Sequence, residues 1–428
     1  MEFLHILMAK EMHIHLKKHR KLTKSLYHAA CQCERSKKQK TVRVIVRFSG
    51  SHHKQQVASL KRKLDKSKHH FKEKSRLRLI GSWVAHVSPD CLETICSHKS
   101  VAKVVLDRKN RINLDIATPA VGAAAVRQSG TTGRGVTVAV LDTGVAPHPD
   151  LVKPTNRIKA FKDFVNNRTS PYDDNGHGTH VAGDVAGNGY SSKGKYRGAA
   201  PGATIVGVKV LDQQGSGFDS TIIRGIEWCV NNRRRLGIRV LNLSLGKEAL
   251  ERCSNDPLCQ AVGKAVRAGL VVTVSAGNHG PGRGTIDSPG ISPSAITVGA
   301  TDDRNTVRES DDRIAAFSSR GPAIGGLLKP DLIAPGVNII SLRADGSELD
   351  RTLPKNRVGR RYFRLSGTSF SAPITAGSAA LLLQKQPRLT PSQVKGLLKR
   401  NAFSLKLPAN TQGVGELNMR FAASRAKR

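Results

Sequence analysis

Five short runs between Val136 and Thr301 constrain the fold most. VTVAVLD, TIVGVKVL, VLNLSLG, LVVTVSAGN and AITVGAT are apolar at nearly every position. A strand with one wet face alternates apolar and polar residues. Runs without that alternation suit strands of a parallel sheet, covered on both faces by the helices that carry the chain between them. Stretches such as DSTIIRGIEWCVNN supply those crossovers. The expected fold is α/β, a mainly parallel twisted sheet flanked by helices. In such sheets ligands bind beyond the carboxyl ends of the strands, which directs attention to the residues that close each run.

The first run closes in VLDTG, placing Asp142 at a strand end, where an Asp also serves as a turn former or helix cap. His177 lies between glycines in DDNGHGTHVAGDVAG, at the start of a helix, with His180 one turn deeper. His-x-x-His can be a metal pair, but there is no Glu at the zincin spacing and no third ligand. The run LVVTVSAGN closes on Asn278, a turn residue or an amide able to donate to an anion. RLSGTSFSAPITAG crowds Ser366, Thr368, Ser369 and Ser371 ahead of a helix with Pro373 near its first turn. Hydroxyls there can simply cap the helix. They also sit at the positive end of the helix dipole, which favours negative charge developing on an oxygen. Together these places hold an acid, a base, an anion donor and a nucleophile, in the order Asp, His, Asn, Ser.

With these motifs the chain resembles the subtilisin-like serine proteases, or subtilases, through VLDTGVAPHPDL, NGHGTHVAG, SAGN and SGTSFSAPITAG. PYDDNGHGTH, GVKVL, GIEWC, FSSRGP, KPDLIAPGVNIISLR and VGRRYF make it most similar to the AprX-type subtilases of bacilli, from about residue 41 to the end. Asp, His, Ser is subtilisin's own triad order, so the order is matched rather than deduced.

The resemblance implies peptide-bond hydrolysis through an acyl-enzyme, with Ser369 as nucleophile, His177 as its base and Asp142 holding the imidazolium. Asn278 and the Ser369 N–H would form the oxyanion hole. Polypeptide substrates would be bound as a strand between Gly215-Ser216-Gly217 and Ser244-Leu245-Gly246. Asp287 in GTIDSPG departs from the small residue common at that place on the wall of the S1 pocket. A carboxylate there is expected to favour Lys or Arg at P1, the residue on the acyl side of the cut bond. The alternative is that Asp287 points to solvent. Only 59 residues follow Ser369, fewer than the kexin or furin branch needs for its extra domain. No cofactor is implied. Calcium binds to many relatives, yet GNGYSSKGKYRGAAPGA departs from their calcium loop and has two lysines where oxygen ligands belong, so metal is left unassigned. The pairs Asp173-Asp174, Asp302-Asp303 and Asp311-Asp312 are expected in solvated turns.

Charge divides the chain. Residues 1–115 hold 27 of the 70 Lys and Arg but only 9 of the 32 Asp and Glu, so the first quarter is much the more basic. Residues 1–40 are expected as a basic arm, either a frayed helix or solvated. From TVRVIVRF a β-α-β-β-α-β module follows, with a basic helical stretch to about Lys74, ending near Asp115. By the resemblance, 41–115 is an α+β, ferredoxin-like pro-region, the chain's own intramolecular inhibitor, cut near Arg111 to Thr118, and 116–428 is the catalytic domain. The formal charge of +38 permits non-specific polyanion contact, but no helix-turn-helix, zinc-finger or RNP-like pattern accompanies it. The seven cysteines, Cys31, Cys33, Cys91, Cys96, Cys229, Cys253 and Cys259, lack the regular spacing of a disulfide framework, and Cys253 and Cys259 are expected as reduced thiols, a bridge closing the loop between them being the alternative. Glu2 and His5 spoil a signal peptide and no apolar stretch is long enough to span, so a cytoplasmic monomer is expected, secretion being the alternative.

Overall fold

The structure is a computed structural model. It describes residues 21–35, 41–49, 53–65, 71–111, 122–128, 130–304, 306 and 309–423. These fall into two compact units, one ending at residue 108 and including 255–257, the other comprising 109–254 and the chain from 258. Among the described residues no helix is long and apolar enough to cross a membrane.

The first unit contains α1 (Lys24–Arg35), β1 (Val42–Phe48), α2 (His53–Asp65), β2 (Phe71–Leu77), β3 (Ser82–Val87), α3 (Pro89–Ser97) and β4 (Val101–Leu106). The strands pair antiparallel in the order β2-β3-β1-β4. The β-α-β-β-α-β order is as expected, but two details differ. The helix expected to reach about Lys74 does not do so, because FKEKSRL is the edge strand β2. Its Lys72, Lys74 and Arg76 are exposed while Leu77 is buried, the charged edge that keeps a strand from pairing with another chain. The described part of the basic arm is not solvated either. Leu26, Ala30 and Cys33, spaced four and three residues apart, form a buried stripe on α1 and join the core of this unit.

The second unit begins with β5 (Lys109–Arg111), followed by β6 (Thr137–Asp142), β7 (Ile158–Asp163), α4 (His177–Ala186), β8 (Thr204–Lys209), β9 (Ser216–Phe218), α5 (Asp219–Leu236), β10 (Ile238–Leu243), β11 (Val271–Ser275), β12 (Ile296–Asp302), β13 (Arg313–Ile314), β14 (Leu332–Pro335), β15 (Ile339–Leu342), β16 (Arg357–Val358), β17 (Tyr362–Leu365) and α6 (Thr368–Lys385). Its main sheet runs β13-β12-β11-β10-β6-β8-β7, with β14 also on β12. All its pairs are parallel except β12 with β13.

All five apolar runs are strands of this sheet, and both faces are covered. Val138, Val140 and Val240 share a cluster with Val181 and Val185 of α4 and Ala376, Ala379 and Leu383 of α6. On the other face α5 comes so close that a methyl on Gly225 would lie 2.6 Å from Val210 and 3.4 Å from Leu141. From β6 the chain builds outward to β7 and β8, and from β10 it builds the opposite way. The crevice of such a reversal opens at the carboxyl ends of β6 and β10, which are Asp142 and the segment starting at Ser244.

Cys253 and Cys259 are joined in a disulfide, contrary to the reduced state expected. A turn between them brings their Cα atoms to 5.3 Å, within disulfide reach, which spacing alone does not reveal.

Candidate active site

Where β6 ends, the helix α4 must come close enough for a side chain to reach Asp142. Gly144, at φ 133°, turns the chain where a methyl would lie 2.2 Å from the Tyr172 carbonyl oxygen. A methyl on Gly178 would lie 2.2 Å from the Gly144 carbonyl oxygen and 3.0 Å from the Asp142 Cβ. The glycine after His177 is thus a condition for contact. Across it, His177 Nδ1 bonds to Asp142 Oδ1 at 2.7 Å, both side chains fully buried. The carboxylate accepts, so Nδ1 carries a proton, and in the neutral ring this leaves Nε2 as an acceptor. That Nε2 is buried and has no hydrogen-bond partner among the described residues.

Asp173, expected in a solvated turn, is instead buried and locks this junction. Its Oδ1 accepts from Thr143 Oγ1 at 2.8 Å and the Gly176 N–H at 2.8 Å, and its Oδ2 from the Thr179 N–H and Oγ1 at 2.8 and 2.7 Å. Asp174 pairs with the buried Lys209 at 2.6 Å. Asp303 and Asp312 are buried as well, so those pairs are not solvated turns throughout.

Ser369 is the second residue of α6. Pro373 has no N–H to give the carbonyl four residues before it, which is that of Ser369. The Ser244 hydroxyl fills the gap, donating to the Ser369 carbonyl at 2.6 Å. In return the Ser369 hydroxyl donates to the Ser244 carbonyl at 3.1 Å rather than to His177. On one side of Ser369, the Phe370 ring lies 5.4 Å from the His177 ring. On the other, the Thr368 N–H and hydroxyl donate to Asn278 Oδ1 at 3.0 and 2.9 Å, while its hydroxyl accepts from the Gly277 N–H at 3.2 Å. With Oδ1 held twice, the Asn278 amide nitrogen faces away, buried and without a hydrogen-bond partner among the described residues. Ser366 is buried, and Ser371 donates to the Ala334 carbonyl at 2.9 Å.

Gly215 precedes β9, and Ser216 and Gly217 lie in it. Their edge already holds an antiparallel strand, β5, with Asn110 opposite Gly217 and Arg111 opposite Ser216. Ser244, Leu245 and Gly246 continue from β10. Asp287 lies between this segment and the Asn278 loop. A methyl on Gly246 would be 3.3 Å, and one on Gly277 2.7 Å, from Asp287 Oδ2. At 2% exposure Asp287 does not point to solvent. Its Oδ2 is 3.3 Å from Nε2 of His279, a side chain 55% exposed. Hydrogen bonding to Asp287 raises the His279 pKa above the ordinary imidazole value, against a smaller opposing effect of burial.

Both ring nitrogens of His180 have hydrogen-bond partners, Asp184 at 3.1 Å and the Ile339 carbonyl at 3.1 Å, and burial pushes the Asp184 carboxyl up. Among the described residues no three His, Cys, Asp or Glu side chains gather in a way that could hold a metal. Thr368, Asp173 and His279 take part in this site without having been singled out for it in the sequence, where Ser244 was named only as part of a substrate-binding segment. Only Thr368 and Asp173 carried a signal, lying beside the Ser369 and His177 motifs.

A family model described as the subtilase family matches residues 133–420. The chain is 48% identical to serine protease AprX of Bacillus subtilis over 388 residues, 89% of this chain and 87% of that one. It is 39% identical to subtilisin Savinase of Lederbergia lenta over 302 residues, 71% of this chain and 96% of that one. Among solved structures, fervidolysin from Fervidobacterium pennivorans superposes with a TM-score of 0.69 at 24% identity, covering 90% of this chain and 60% of that chain. That last likeness is one of fold.

Proposed function

The chain belongs to the subtilase family of serine proteases, and from this premise we propose that it is an endopeptidase acting through Asp142, His177 and Ser369. Ser369 Oγ turns from the Ser244 carbonyl to His177 Nε2, gives up its proton there and attacks the peptide carbonyl. His177 then returns the proton to the leaving amine, while Asp142 stabilises the imidazolium. The Asn278 amide and the Ser369 N–H take the oxyanion. In subtilisin the loss of one such donor lowers turnover by about 10²–10³. The observation that carries this reading is the pair of orphaned buried atoms, an acceptor on His177 and a donor on Asn278, on the two sides of Ser369. Leaving a buried group unpaired costs about 1–3 kcal/mol, and here each orphan is of the type the reaction would use. The chemistry as written needs no metal or cofactor.

Substrate would add as a strand along Ser216 and Gly217, facing Ser244, Leu245 and Gly246. The chain's own residues 109–111 pair along that edge, which supports reading the first unit as a pro-region whose tail blocks the cleft. The cut expected near Arg111 to Thr118 falls largely outside the described residues. The burial of Asp287 beside Gly246 and Gly277 supports a preference for Lys or Arg at P1. The disulfide favours the secreted alternative over the cytoplasmic one, because such bonds persist in oxidising compartments.

A fluorophosphonate probe tests the core of the proposal. It should label the full chain, after any self-cleavage has run to completion, and not the Ser369→Ala variant; a parent that stays unlabelled is a relative that binds without cutting. For P1, Asp287→Ala should lower kcat/KM on an Arg substrate at least about tenfold relative to a Phe substrate, the scale of one charge-assisted hydrogen bond. An unchanged preference removes Asp287 from substrate selection.

A further inference from the structure

His279 stands at the mouth of the place where Asp287 is buried. The carboxylate is almost fully enclosed, whereas more than half of the imidazole surface is exposed, and the two meet at 3.3 Å through Asp287 Oδ2. That oxygen is also the atom nearest to Gly277 and within reach of Gly246, so it faces the gap between the segment leading to Asn278 and the segment after β10. A cation entering the gap from a substrate side chain and a proton on His279 would therefore compete for one oxygen.

We propose that His279 is a proton-operated competitor for the specificity carboxylate: protonated, it occupies Asp287 and suppresses selection of Lys or Arg at P1, and neutral, it leaves Asp287 to the substrate. The proposal rests on the reading of Asp287 as the group that meets the P1 side chain.

The surroundings suit such a device. The charged groups acting on the ring are Asp287 and, more weakly, Glu248 from the segment after Gly246, both favouring the proton. From the neighbouring 315–320 loop the contact is the Ser319 hydroxyl, which is uncharged and accepts from the His279 N–H at 3.0 Å. Lys247, the nearest cation in sequence to Gly246, is paired with Asp219. The Asp287 carboxylate beside it raises the pKa of the His279 ring above the ordinary imidazole value. Because the His279 backbone is pinned while its ring stays exposed, protonation can change the pairing without moving Asn278.

The experiment is the ratio of kcat/KM for an Arg substrate to that for an otherwise identical Phe substrate, followed from about pH 5.5 to 9. Any ionisation of the free enzyme that affects both substrates alike cancels in the ratio. For the parent the ratio should rise with pH by about tenfold across one titration. His279→Ala should hold it high and flat, and His279→Lys, which keeps a positive charge, low and flat. A parent ratio that does not change with pH, or a His279→Ala ratio that keeps the parent slope, overturns the proposal. Asp287→Asn separates this failure from that of the underlying reading. If it leaves the ratio at the parent level at every pH, Asp287 does not meet P1 at all. If it lowers the ratio while His279→Ala changes nothing, only the role of His279 falls.

Discussion

At Thr368 one side chain holds two loops in register. It donates to Asn278 Oδ1 and accepts from the Gly277 N–H, so the orientation of the Asn278 amide is set by its neighbour on α6. Thr368→Val keeps the shape and removes both bonds. Turnover is expected to fall about tenfold with little change in KM, less than for Asn278→Ala, because the donor is misaimed rather than removed. Steady-state kinetics on one peptide checks this, and a change confined to KM would place Thr368 in substrate binding instead. At this scale the sequence pointed to the candidate reacting residues better than to the groups that position them. Asp142, His177, Asn278 and Ser369 were legible because each closes an apolar run or opens a helix inside a long motif. Ser244 was legible only as backbone. Its hydroxyl acquires a task because Pro373, 129 positions later in the chain, lacks an N–H, a relation that only the fold brings about.

Among elements, α6 shows how a break in regular hydrogen bonding can be put to use. Pro373 would be expected to weaken an interior helical turn, yet the orphaned Ser369 carbonyl finds the Ser244 hydroxyl, which itself accepts from Asn242 Nδ2 at 2.9 Å. Ser244→Ala should cost about 1–2 kcal/mol, the price of stranding a buried acceptor. The same change made together with Pro373→Ala should cost less than it does alone, because an N–H at 373 can then meet that carbonyl. A double-mutant cycle by denaturant unfolding measures the coupling, and strict additivity would rule the exchange out. The central strands were legible for a simple reason: burial on both faces leaves no polar position in the run. Strands at edges were not. β2 reads FKEKSRL, with charges on its wet side, and could pass for a continuation of the basic helix before it. β7 reads IKAFKD, with only Ile158 and Asp163 fully buried. Both are strands because a neighbour offers hydrogen bonds, which no local pattern records. The buried stripe of α1 was hidden in the same way, since Ala30 and Cys33 look weakly apolar until a sheet packs against them.

For the molecule as a whole, stability in acid should depend on Asp350. Arg343 donates to it at 2.6 and 2.9 Å, the Gly346 N–H at 3.0 Å and Arg357 at 2.7 Å. Led by the Arg343 hydrogen bonds, these hold its carboxyl well below the usual carboxylate range. A carboxyl depressed by folding contributes its stabilisation fully above the unfolded value, about 4, and loses it as the pH falls toward the folded one. Asp350→Asn should therefore melt lower than the parent at pH 7, with the gap closing as the pH is taken below about 4. A gap that stays constant to pH 3 would mean that the charge is not what stabilises the segment between β15 and β17. The pairing of β5 with β9 bears on a different property, concentration. A strand on the same chain as its acceptor is present at an effective concentration on the order of millimolar for a short flexible tether, and dilution does not lower it. If residues 109–111 block the cleft, a peptide at micromolar levels meets a competitor that it cannot outnumber. Inhibition would then be insensitive to how much enzyme is present and little relieved by substrate at such levels, and would end when a covalent cut turns a neighbour into a ligand that can diffuse away.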